Sequence, residues 1–68
     1  MKWTWQDTEG IAGDLAALYP DTDPLKIGTQ ELEKLVLSLP GFKDEPSAVT
    51  QGILLAIQEA WYELFDAG

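Results

Sequence analysis

Apolar residues recur along this chain at helical spacing in three blocks, separated by breaks that carry proline and glycine. In the first block Ile11, Leu15 and Leu18 fall at i, i+4 and i+7, with Ala12 and Tyr19 beside them, which is one stripe of an amphipathic helix. Asp7 or Thr8 stands where that helix needs an N-cap, and the acidic Asp7 and Glu9 suit its positive end. Leu32, Leu35, Val36 and Leu39 repeat the stripe in the second block. Thr29 is its candidate cap, Glu31 lies in its first turn, and Pro40-Gly41 end it. The third block begins between Glu45 and Thr50, with Pro46 acceptable in a first turn. It has the largest apolar face, formed by Ile53, Leu54, Ile57, Trp61, Leu64 and Phe65, and Gly52 weakens it by about 1 kcal/mol relative to alanine. Only Lys26-Ile27-Gly28 and the Trp3–Trp5 segment read as possible strands, and both are too short to make a sheet alone. The pattern predicts a mainly α, compact three-helix domain. Its expected core is Ile11, Leu15, Leu18, Leu32, Leu35, Val36, Leu39, Phe42, Ile53, Ile57 and Trp61. Trp5 reads as core as well, and Trp3 shares its face if that segment is extended.

Composition narrows the function classes. The chain has 68 residues, room for one domain with a thin core. It contains no cysteine and no histidine, so disulfides, thiolate or imidazole metal sites and histidine acid–base chemistry are excluded. The serines and threonines therefore have no histidine to activate them, and no glycine-rich phosphate loop follows a strand. Three helices in so short a chain leave little room for a deep substrate pocket, and catalysis is not expected. Twelve acidic residues against four lysines give a net charge of −8, which disfavours nucleic acid and favours a basic protein surface or a cation. There is no signal-peptide pattern and no apolar run long enough for a bilayer, so a cytoplasmic protein without membrane contact is expected.

One segment stands out. In Tyr19-Pro20-Asp21-Thr22-Asp23-Pro24 the first prolyl residue stops the helix, and Pro24 biases Asp23 toward an extended backbone. If the segment is extended, Asp21 and Asp23 point the same way and form a stiffened carboxylate pair. Pro and Asp are also ordinary turn residues, so an inter-helix turn accounts for the same letters.

The chain resembles the IscX family, small acidic accessory proteins of bacterial iron–sulfur cluster assembly. The resemblance rests on Trp5-x-Asp7-Thr8-x-x-Ile11, on Tyr19-Pro20-Asp21-x-Asp23-Pro24, on Leu39-x-x-Phe42-x-Asp44-Glu45-Pro46, and on Ile53-Leu54-x-Ala56-Ile57-x-x-x-Trp61. It implies a modified winged helix with at most very short strands, in one IscX-like domain over residues 1–68. It also implies a non-catalytic, monomeric protein that binds the cysteine desulfurase IscS, where frataxin and ferredoxin compete, and that binds iron(II) weakly through exposed carboxylates. On this chain the candidate iron ligands are Asp21 and Asp23, on the segment that two prolines stiffen, with Asp14. The candidate partner-binding set, chosen for its charge, is Asp7, Glu9, Asp14, Asp21, Asp23, Asp44 and Glu45, and no tightly bound cofactor is expected.

The chain also departs from the family pattern. Lys43 interrupts the acidic run before Pro46, Val49-Thr50-Gln51 replaces a Ser-Asn-Glu-like helix cap, and Gly28-Thr29 replaces a basic-aromatic pair. Leu55 stands where the family has glutamate, which leads to the expectation of a larger core or a dimer contact. The alternative to the family reading is a generic acidic interaction domain, an inhibitor or nucleic-acid mimic that binds another basic protein.

Overall fold

A computed structural model describes residues 3–67. Helix α1 spans Thr8–Leu18, α2 spans Thr29–Leu37 and α3 spans Gln51–Ala67. A 3-10 turn at Pro24–Lys26 lies between α1 and α2, and another at Pro46–Ala48 precedes α3. No strand forms among the described residues; the only pairing there is an isolated parallel bridge between Trp3 and Phe42. The chain is thus mainly helical, as its periodicity predicts. Lys26-Ile27-Gly28 is not a strand, because Lys26 closes the 3-10 turn that begins at Pro24.

The long helix α3 is the centre of the packing. It lies chiefly against α1, with the Pro24–Lys26 turn and α2 completing its surroundings. Gln58 ties the turn down by donating from Nε2 to the Pro24 carbonyl at 2.8 Å. The core consists of Trp5, Ile11, Ala12, Leu15, Leu32, Val36, Leu39, Phe42, Leu54, Ile57 and Trp61. Leu35 and Ile53, expected inside it, are half-buried at its edge.

Leu18 is a clear miss: it is 56% exposed. Successive helical residues step by about 100°. By that step Leu18 lies only about 20° round the helix from the buried Ile11, so its exposure comes from its place as the last residue of α1, one turn beyond Leu15, the last buried residue of the helix. Leu55 is 48% exposed, so the added leucine does not enlarge the core. The two N-terminal tryptophans do not share a face. The chain turns after Thr4, whose carbonyl accepts from the Asp7 amide at 2.9 Å. Trp5 therefore enters the core and meets Phe42 edge-on, with ring centroids 4.6 Å apart.

The caps also differ from expectation. Asp7 occupies the N-cap position of α1, but its carboxylate bends back to the Thr4 amide and hydroxyl instead of capping. Thr29 is the first residue of α2 behind Gly28, and its side chain caps nothing. Pro46 opens the separate 3-10 turn and not α3. The cap of α3 is Thr50, whose hydroxyl accepts from the Ile53 amide at 3.2 Å, so the polar cap of the family pattern is replaced in kind.

Candidate functional site

The acidic residues singled out in the sequence lie on the N-terminal segment, on α1 and on the two loops, and the structure shows what each carboxylate does. Asp7 accepts from Thr4, as described. Glu9 projects from the first turn of α1 and is exposed. Asp14, half-buried on the same helix, accepts through Oδ2 from the Trp3 indole Nε1. Asp44 accepts from two backbone amides, of Trp5 at 3.1 Å and of Glu45 at 2.8 Å. The neighbouring Glu45 is exposed, and its carbonyl accepts from the Trp5 indole at 2.7 Å. These bonds hold three of the seven carboxylates, those of Asp7, Asp14 and Asp44, in place while leaving acceptor capacity, since a carboxylate has about four lone-pair sites.

The Tyr19–Pro24 segment is a turn and not an extended run. Tyr19 ends α1, and the Thr22 amide donates to its carbonyl at 3.2 Å. Asp21 is exposed in that turn. Asp23 has the extended backbone that Pro24 imposes, with φ −80° and ψ 113°. Its Oδ1 accepts from the Leu25 amide at 3.0 Å, so it caps the following 3-10 turn. The alternation assumed for an extended pair is therefore broken between Asp21 and Asp23. Nor do Asp14, Asp21 and Asp23 gather as one cluster: among the described residues no group of three acidic side chains is placed to hold a metal ion. Asp14 is held on α1 beside Trp3, and Asp23 is held in its own turn.

The feature that sequence reasoning missed is Trp3. Its amide donates to the Gly41 carbonyl at 2.7 Å, and its carbonyl accepts from the Lys43 amide at 2.9 Å. Its ring lies against α1 at Gly10, where a β-carbon would sit well inside contact distance of the ring carbons. The signal was present in the sequence as a glycine in the first turn of α1, one turn before Asp14, but only the fold reveals what covers it. Gly10→Ala is expected to expel the indole, break its bond to Asp14 and destabilise the protein by about 1–3 kcal/mol. Thermal unfolding measures that cost. A red shift of tryptophan emission would report Trp3 alone, because Trp5 and Trp61 are buried.

A cleft of about 220 Å³ between the ends of α1 and α3 is lined by Ala16, Tyr19, Pro20, Trp61, Leu64 and Phe65, a mainly apolar set. No helix of the described residues is long and apolar enough to cross a membrane.

Comparison with known proteins accounts for this architecture. A family model described as iron–sulphur cluster assembly matches residues 1–66. An uncharacterized protein of Pseudomonas aeruginosa is 36% identical over 63 residues, covering 93% of this chain and 96% of its own length. With a match that spans the core, the Trp3 bridge and the acidic loops, the chain belongs to the iron–sulphur cluster assembly family of IscX-like proteins.

Proposed function

We propose that this protein is a non-catalytic accessory factor of iron–sulfur cluster assembly that docks onto a basic surface of a cysteine desulfurase and adjusts sulfur delivery. The observation that carries the reading is the family match of a chain whose net charge is −8, and the acidic residues form its docking edge in this proposal. Asp7, Glu9 and Asp14 lie at and along α1, Asp21 and Asp23 follow its end, and Asp44 and Glu45 are brought beside the N-terminus by Trp5. Internal hydrogen bonds restrict four of these side chains before any partner arrives, which lowers the ordering cost of binding. Several weak charge pairs then steer encounter and set orientation. The protein acts in the cytoplasm as a monomer. Titration of the purified protein into a purified cysteine desulfurase is the direct test. Saturable binding that weakens as salt rises supports the reading. No binding at low ionic strength, together with capture of some other basic protein, would replace it by the generic acidic interaction domain.

Iron(II) is a second, weaker ligand in this proposal. The residues present offer only carboxylate and carbonyl oxygen, a donor set that suits hard cations and discriminates poorly among them. They form no cluster of three acids and Asp21 and Asp23 are not aligned as a pair, so binding is weak and rests on these two carboxylates of one turn, each completed by water and without Asp14. Anaerobic titration with ferrous ion, followed by backbone NMR, is expected to perturb residues 19–25 first. Equal broadening at every exposed carboxylate would reduce iron binding to general surface attraction.

A further inference from the structure

We propose that the acidic edge contains an apolar anchor point: the groove between Trp3 and Leu18 receives an aliphatic or aromatic side chain from the basic partner surface. This rests on the docking function proposed above and specifies what holds the complex together once charge has oriented it.

The groove is lined by Trp3, Asp14, Ala17, Leu18, Pro40 and Gly41 and encloses roughly 400 Å³. Its walls are mostly apolar; Ala17, Leu18 and Pro40 are exposed, and Trp3, Asp14 and Gly41 are half-buried. Leu18 is left 56% exposed here, although the periodicity of α1 would bury it. On the other side of the same indole lies a shallow polar groove lined by Gln6, Asp7, Thr8, Glu9 and Gly10. Trp3 is thus the wall common to an apolar groove and an acidic one. That wall is fixed in advance by its backbone bonds to Gly41 and Lys43, by the indole bond to Asp14 and by the bare surface of Gly10. A preformed aromatic wall loses little entropy on binding. An apolar centre with a charged rim is the anatomy of a specific interface, and tryptophan is the residue type most often dominant at its centre.

Charge decides the occupant. Asp7, Glu9 and Asp14 flank the indole, so a cationic surface is attracted to the rim while its apolar side chain fills the groove. A second copy of this chain would bring the same net charge of −8 against that rim, and like-charge contact disfavours it.

Two variants separate this anchor from charge attraction. Ala17 is exposed and lines the groove, so Ala17→Glu adds a carboxylate to the acidic edge and obstructs the groove. Attraction by charge alone predicts equal or tighter binding; the anchor predicts binding weaker by about tenfold. Leu18→Ser removes an apolar wall without changing charge. It is expected to weaken binding by about tenfold both in about 0.1 M and in about 1 M salt, leaving the salt dependence as in the parent. Circular dichroism and thermal melts verify that both variants fold, and calorimetry against a purified cysteine desulfurase measures affinity. Parent-like binding of both variants, or tighter binding of Ala17→Glu, overturns the anchor while leaving the docking function in place. Failure of the parent itself to bind would remove the docking function, and the anchor with it.

Discussion

Ile57→Ala is expected to cost about 2–5 kcal/mol of stability. Ile57 is fully buried on α3, the helix that meets both α1 and the Pro24–Lys26 turn, so truncation opens a cavity where the main packing surfaces join. Domains are stable by only about 0.05–0.15 kcal/mol per residue, and for a chain this short the loss is a large part of the total. The principal axes span 30 × 24 × 16 Å, so there is no second layer into which the neighbours of Ile57 can collapse. Each kcal/mol corresponds to roughly 4–8 °C in melting temperature for a domain of this size. The internal control is Leu55→Ala on the same helix. Leu55 is 48% exposed, and its truncation should change stability by no more than about 0.5 kcal/mol. Urea unfolding of both variants, with unchanged m-value, tests the pair. A cost below about 0.5 kcal/mol for Ile57→Ala would contradict the packing of α3.

The contrast between Ile57 and Leu55 also marks how far the sequence could be read. Three helices and most of the core are legible because a 3.6-residue period and prolyl stops are local properties. Pro20 ends α1, and Pro24 extends Asp23, through steric effects on adjacent residues alone. Leu18, expected in the core, is exposed because how far along a helix its neighbours reach is a tertiary fact. Ile11, Leu15 and Leu18 make one regular stripe, and only the packing of α1 decides that burial along it stops at Leu15.

The site was less legible than the fold for a related reason. The sequence identifies which residues are carboxylates but not which are already engaged. Asp7, Asp14, Asp23 and Asp44 each accept an internal hydrogen bond, and the partners of Asp14 and Asp44, Trp3 and Trp5, are distant in sequence. The expected carboxylate pair at Asp21 and Asp23 required an extended strand, whereas the Thr22–Tyr19 bond makes a turn. The family assignment was accessible from the start because its motifs combine core spacing with the Tyr-Pro-Asp-x-Asp-Pro element, and the match over residues 1–66 agrees.

Those engaged carboxylates determine how the acidic edge must be tested. Reversing Asp14 or Asp44 would also release a tryptophan, and reversing Asp23 would uncap the Pro24–Lys26 turn, so lost binding could reflect lost structure. Glu9 and Asp21 are exposed on the edge, and neither is needed to hold another group. The double variant Glu9→Lys with Asp21→Lys is therefore expected to keep its fold and to bind a cysteine desulfurase roughly ten- to hundredfold more weakly at about 0.1 M salt. The magnitude follows from exposed charge pairs of about 0.2–1 kcal/mol each, where reversal both removes an attraction and adds a repulsion. The matched control is Glu31→Lys with Glu33→Lys on α2, which changes net charge by the same amount away from the edge. Glu63 would be a poor control, since it lines a cleft together with Glu9. Near 1 M salt, where the Debye length falls to about 3 Å, the edge variant and the parent should converge toward the residual affinity of the apolar contact. Equal weakening by the edge and control pairs would mean that only overall charge matters, and parent-like affinity of the edge variant at low salt would rule out docking through this edge.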